Sequence, residues 1–256
     1  MTAVVVAAWG ALALVMAVLW RRQLTTRDAT SVDAAWATGL ALLALLYPWW
    51  VEGDLARRAL VGAAGAIWGA RLAWYLVTDR VIGHAQEDGR YRALRAHWGE
   101  SASARFFVVY QAQAAVAVLF SLPMLAAMRG GARGALDVAG AVVWAIAVVG
   151  ETVADRQLAR FRADPANRGQ VMRRGLWKYS RHPNYFFEWT HWWAYVLIGR
   201  GAPLTWIGPV LMLAFLFRVS GIPYTELQAL KSRGDRYRAY QRTTNAFFPW
   251  FPRRQA

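Results

Sequence analysis

Residues 173–195 read RRGLWKYSRHPNYFFEWTHWWAY. A basic approach (Arg173, Arg174, Lys178, Arg181, His182) runs into Pro183, and an aromatic helix is predicted from there. Proline suits the first position of a helix, where its missing N–H would have no intrahelical partner anyway. The positive end of the helix dipole then faces a cluster of cations, a physical recipe for holding a phosphate. Asn184, Glu188, His191 and Tyr195 follow at i, i+4, i+7 and i+11, so they share one face. Phe186, Trp189, Trp192 and Trp193 occupy the others. A polar stripe on so apolar a helix requires a partner.

Working outward, the composition places that helix in a membrane. Of 256 residues 57% are hydrophobic and 15 are Trp, too many for an ordinary soluble domain. Zero Cys excludes disulfides, thiolate metal sites and thiol chemistry. The net charge of +15 would suggest nucleic acid in a soluble chain. Here it reads instead as cationic loops that set topology and meet anionic headgroups, so no nucleic-acid partner is expected. The expected fold is an all-α polytopic membrane helical bundle of about seven transmembrane helices, forming one domain over 1–256. The expected spans are Ala3–Trp20, Val32–Val51, Leu60–Val77, Phe106–Met128, Leu136–Ala154, Asn184–Ile198 and Pro203–Phe217. Alternate segments between them hold 23 of the 30 Lys and Arg residues, against 5 on the opposite side. Positive charge stays inside, which puts the N-terminus outside and the C-terminus in the cytoplasm. In the third span Gly65 and Gly69 form a G-x-x-x-G pair, Gly62 and Ala66 repeat the small-residue spacing one position off that face, and close helix packing is their expected role. No Walker loop, HExxH or Gly-x-Ser-x-Gly is present, and the glycines at 130, 131 and 134 do not form a Rossmann turn.

Ionisable side chains within spans mark functional candidates. These are Asp33 in the second span, Arg71 in the third, Glu151 with Asp155 at the end of the fifth, and Glu188 in the sixth. Each has a structural alternative: a first-turn carboxylate for Asp33, snorkelling or pairing for Arg71, arginine partners for Glu151 and Asp155. His182, Glu188 and His191 offer valid zinc ligands, but nine residues separate the two histidines and Pro183 intervenes, so no metal is expected. The C-terminal segment intersperses Tyr224, Tyr237 and Tyr240 with Arg236, Arg238 and Arg242. That mixture suits a nucleotide, guanidinium for phosphates and tyrosine for stacking. It equally suits an interfacial helix with a snorkelling basic face.

From Gly175-Leu176-Trp177 to Arg181-His182-Pro183-Asn184-Tyr185-Phe186 and Glu188, the chain resembles the steroid 5-alpha-reductase-like membrane reductases, above all their bacterial branch. Val32-Asp33-Ala34-Ala35-Trp36, Arg71-Leu72, Gly89-Arg90-Tyr91-Arg92, Gln111, Asp155-Arg156-Gln157-Leu158 and the end from Tyr237 to Pro252 fall in the same order. The resemblance covers roughly residues 32–252. It implies a seven-helix enzyme of the bacterial inner membrane, its cofactor site facing the cytoplasm, that uses NADPH to reduce a carbon–carbon double bond conjugated to a carbonyl. An apolar, steroid- or lipid-like substrate would enter from the surrounding membrane lipids. By position Asn184 and Glu188 would meet the nicotinamide, and Asp155 and Arg162 would make polar cofactor contacts. Glu151 stands where relatives carry an asparagine. The basic approach, with Arg174, Tyr179, Arg181, His182 and Tyr185, would form the phosphate side, joined by Tyr224, Tyr237, Tyr240 and Arg242. The cofactor half would therefore lie mainly in 151–256.

The substrate side departs from the steroid enzymes. Asp33 stands in the second span in place of a glutamine–glutamate pair, and Trp68 stands where relatives carry a tyrosine. Hydride delivery builds charge on the carbonyl oxygen, and a donor there is worth roughly 3–4 kcal/mol. Asp33, as a desolvated acid, and Arg71, as a fixed cation, are the expected stabilisers, with Glu188 the third catalytic candidate. A second reading is a membrane methyltransferase of the isoprenylcysteine or phospholipid type using S-adenosylmethionine. Such proteins share an Arg-His-Pro-x-Tyr stretch and a C-terminal Glu/Tyr segment, here Glu226. A non-enzymatic transporter or lipid-binding protein is the third class.

Overall fold

A backbone immersed in hydrocarbon must satisfy its own polar groups, and each apolar run does so as a helix. The computed structural model describes residues 2–82, 86–131, 133–219 and 221–253. It is 82% helix, with no strand among the described residues. The helices are α1 (Thr2–Thr26), α2 (Ser31–Trp50), α3 (Leu55–Leu76), α4 (Gly89–Trp98), α5 (Ala102–Met128), α6 (Ala135–Ala163), α7 (Pro183–Ile198), α8 (Ile207–Ala214), α9 (Ile222–Arg233) and α10 (Asp235–Thr243). Side chains mark several starts: the Asp54 carboxylate accepts from Arg57 N–H at 2.9 Å ahead of α3, and Asp88 accepts from Arg90 N–H at 2.9 Å ahead of α4.

Among the described residues six stretches are helical, long and apolar enough to cross a membrane: Thr2–Thr26, Ser31–Trp50, Leu55–Val81, Gly89–Met128, Ala135–Ala163 and Pro203–Arg233. These six cover every expected span but one, the second ending a residue early at Trp50. The exception, α7, has 16 residues and reaches about 24 Å, short of a ~30 Å hydrocarbon core. The last stretch is not one regular helix: a 3-10 turn (Pro203–Trp206) precedes α8, and a π-helical turn (Phe215–Val219) follows it. Helix α6 continues past its apolar run to Ala163, so Asp155, Arg156, Arg160 and Arg162 ride on helix rather than on a linker.

The chain divides into two compact units. One comprises Met1–Arg133 and Ala202–Ile207, the other Gly134–Gly201 and Gly208–Ala256. The second unit opens at Gly134, just ahead of α6, and contains residues 151–201 and 208–256.

In the first unit α3 lies close against α2 because three glycines leave room for it. A Cβ on Gly62 would stand 2.8 Å from the Pro48 ring and 3.0 Å from Ala44 O. One on Gly65 would meet Ala44 Cβ at 2.7 Å, and one on Gly69 would meet the Ala41 amide nitrogen at 3.0 Å and Ala37 O at 3.1 Å. The small-residue spacing therefore does what the sequence predicts. Tyr47 and Ser121 share a buried 2.7 Å hydrogen bond that ties α2 to α5, and Gln111 donates to Ala13 O at 3.2 Å between α5 and α1.

In the second unit α6 and α7 run antiparallel. A Cβ on Gly140 would reach Ile198 at 2.5 Å, one on Gly150 would reach the Phe187 ring at 2.5 Å, and Asp155 meets Asn184. Fully buried Ala147 and Ala154 follow Gly140 at intervals of seven, completing a small-residue face against the bulky aromatics of α7.

Candidate active site

The register of α6 against α7 builds a polar seam in an otherwise apolar helix pair. Pro183 occupies the first turn of α7, and Asn184, Glu188, His191 and Tyr195 lie on one stripe below it. Glu188, His191 and Tyr195 are buried, as are Glu151 and Asp155 one turn apart on α6. Asn184 Nδ2 donates to Asp155 Oδ1 at 3.1 Å. Its Oδ1 is buried and, among the described residues, has no hydrogen-bond partner. The Tyr195 hydroxyl is in the same situation. His191 donates from Nδ1 to Glu188 O at 2.7 Å, which fixes the ring within the stripe. Three carboxyl groups, at 151, 155 and 188, are thereby buried in the seam.

The turn that precedes α7 is held by its own motif. Gly175 has φ +57°, in the left-handed region, and a Cβ there would strike the Gln157 side chain at 2.5 Å. Gln157 Oε1 accepts from Leu176 N–H at 3.0 Å, and Trp177 Nε1 donates to Ala154 O at 3.0 Å. Gly-Leu-Trp thus fastens the turn to α6.

Arg181 and His182 correct an expectation. Read as phosphate cations, they are turned inward onto Glu226 of α9. Arg181 Nε donates to Glu226 Oε1 at 2.6 Å, and its Nη1 donates to Gln241 O at 3.2 Å and Thr244 O at 2.5 Å. His182 Nε2 lies 3.2 Å from the same oxygen, and Gln241 Nε2 donates to Glu226 Oε2 at 2.9 Å. Burial pushes the His182 imidazole below its usual value, and the Glu226 carboxylate opposes that shift without cancelling it. Tyr185 stacks on the His182 ring at 5.3 Å. The anion that Arg181 and His182 hold is the chain's own.

Tyr237 and Tyr240 likewise serve the fold. Both are buried: Tyr240 donates to Trp177 O and, at 3.1 Å, to Ser180 O, while Tyr237 reaches Glu226 Oε1 at 3.5 Å. Burial raises both phenols above their usual value. Neither ring is open to stack on a nucleotide. Tyr224 and Tyr179 are half-buried, and Tyr179 packs edge-on to Phe251 at 5.8 Å. Of the cations expected at the cofactor, Arg162, Arg174 and Arg242 face outward. Ser180 escaped the sequence reading, and Gln157 and Gln241 entered it only as motif positions without a role, because a polar side chain among arginines carries no pattern of its own.

The expected catalytic residues Asp33 and Arg71 belong to the first unit. Asp33 Oδ1 accepts from the Tyr91 hydroxyl at 2.6 Å, and Oδ2 accepts from Arg90 at 2.6 Å and Arg80 at 3.0 Å. These three bonds clasp α2 to Arg80, Arg90 and Tyr91. Beside it Glu87 accepts from Arg95 at 2.8 Å and from Ala29 N–H at 2.9 Å. Arg71 is half-buried in α3, three residues beyond fully buried Trp68.

A family described as "Protein of unknown function (DUF1295)" matches residues 19–244, and it stands in the steroid 5-alpha-reductase-like group. No curated protein and no solved structure matches the chain.

Proposed function

The chain belongs to the DUF1295 family, and on that footing we propose that it is an integral membrane reductase that uses NADPH to reduce a carbon–carbon double bond conjugated to a carbonyl in an apolar, steroid- or lipid-like substrate. The observation that carries this reading is Asn184: its amide nitrogen is bonded to Asp155 while its oxygen, buried, accepts from nothing among the described residues. Leaving such an acceptor unmade costs about 1–3 kcal/mol, so it calls for a ligand donor. A nicotinamide carboxamide carries one. Glu188, one turn further along the buried stripe, offers a carboxylate to the ring, whose oxidised form is cationic.

The donor set fits the cofactor in part. Arg162, Arg174 and Arg242 face outward and suit its phosphates, whereas Arg181, His182, Tyr237 and Tyr240 are committed within the protein. When bound, NADPH supplies the hydride. The chain's own residues orient and enclose: the Asn184–Asp155 bond fixes the amide, and the aromatics of α7 exclude water around the seam. We place seven helices across a bacterial inner membrane, α7 among them, sheltered by α6 and tilted little, with the N-terminus outside and the cationic segments in the cytoplasm.

Buried carboxylates also attract a sulfonium, which keeps S-adenosylmethionine as the second reading. The residue-level test is Glu188→Gln in detergent-purified protein. Affinity for the oxidised cofactor, NADP+, measured by calorimetry is expected to fall about tenfold, as for loss of one charge contact, with helicity unchanged. Unchanged affinity would remove Glu188 from the site.

A further inference from the structure

The last described segment, Phe247-Phe248-Pro249-Trp250-Phe251-Pro252-Arg253, follows α10 as a non-helical strap that loops back to its end, fixed in place yet turning its largest side chains outward. Trp250 N–H donates to Tyr179 O at 2.9 Å, Arg253 N–H to Thr243 O at 2.8 Å, and Ser180 Oγ to Phe247 O at 2.8 Å. Pro249 and Pro252 lock two further φ angles. Phe247 is buried, but Phe248, Trp250 and Phe251 are 59%, 68% and 73% exposed. A rigid backbone that displays three aromatic rings needs something to cover them.

Two features of the strap say what that is. Its rings continue into the aromatic face of α7: Phe248 packs on Phe186 at 6.1 Å and on Trp189 at 5.9 Å. The strap therefore sits at the level of the first turn of α7, where aromatic residues concentrate at the membrane–water boundary. Charge supplies the second feature. Lys178 Nζ lies over the Tyr179 ring at 5.8 Å, Tyr179 abuts Phe251 at 5.8 Å, and Phe251 abuts Trp250 at 6.3 Å, so a cation closes one end of the row. Arg253, exposed, closes the other, and from Arg236 onward the sequence has no Asp or Glu. Aromatics flanked only by cations match a surface that is apolar below and anionic above.

We propose that Phe248, Trp250 and Phe251 form a preorganised foot that inserts into the boundary region of the bilayer, with Lys178 and Arg253 on anionic phospholipid headgroups. Because Tyr179 and Ser180 hold the strap, the foot also anchors the turn that leads into α7.

The absence of cysteine allows a direct test. Single nitroxide labels are placed on Trp250→Cys, Phe251→Cys and, as an exposed reference, Ser232→Cys in the full chain, reconstituted into vesicles of phosphatidylethanolamine and phosphatidylglycerol. Power saturation then compares accessibility to oxygen, which enriches in lipid, with accessibility to a water-soluble nickel chelate. At 250 and 251 the oxygen-to-nickel ratio is expected to exceed that at 232 several-fold, and to drop when phosphatidylcholine replaces phosphatidylglycerol. Two reporters keep the test valid should one variant misfold. Ratios at 250 and 251 equal to that at 232 would overturn the proposal, as would spin–spin broadening from a second copy covering the strap. A high ratio indifferent to the headgroup would overturn its anionic part.

Discussion

Glu226→Ala is expected to destabilise the second unit by about 3 kcal/mol, toward the lower end of the cost of breaking a buried ion pair by removing one partner. The carboxylate accepts from Arg181 and Gln241 and bonds His182, and the Arg181 and Glu226 side chains are only 11% and 16% exposed. Removing it strands the Arg181 guanidinium on two backbone carbonyls, Gln241 O and Thr244 O. That residual solvation holds the estimate at the lower end. A thermal midpoint lower by roughly 6–12 °C is expected in detergent. In a double-mutant cycle, Arg181→Ala should cost far less on the Glu226→Ala background than alone. Additive losses would show that the two side chains do not depend on each other.

Gly69→Leu is the second large effect. The first added carbon already stands 3.0 Å from the Ala41 amide nitrogen and 3.1 Å from Ala37 O, and backbone of a neighbouring helix cannot swing aside as a side chain can. The helices must separate, at a cost of about 2–3 kcal/mol for overpacking a tight contact. Gly69→Ala needs a shift of only a few tenths of an ångström and should cost clearly less. Thermal unfolding of both variants checks the ordering. Equal midpoints for leucine and wild type would mean that α2 and α3 are not in close contact at this point.

These contrasts show where sequence reading succeeds. Gly62, Gly65 and Gly69 were legible because steric spacing along one helix is a local property, and the partner need only be another helix. The stripe from Asn184 to Tyr195 was legible for the same reason. Helix α6 runs nine residues past its expected end because hydropathy marks where a helix meets lipid, not where its hydrogen bonds stop. Arg181 and His182 were assigned to a phosphate because the anion they bind, Glu226, lies more than forty residues away, and spacing does not encode such a pairing. Asp33 is a parallel case, its partners Arg80, Arg90 and Tyr91 lying 47 to 58 residues along the chain. The family-like motif thus has two jobs. Gly175 to His182 mainly builds the turn, while Asn184 and Glu188 lie in the seam.

The seam between α6 and α7 as a nicotinamide site is the central claim, and calorimetric titration of the detergent-purified wild-type chain with NADPH and, separately, with S-adenosylmethionine tests it most directly. Saturable binding of NADPH without binding of S-adenosylmethionine is the predicted result. Binding of S-adenosylmethionine alone, or of neither, would contradict it.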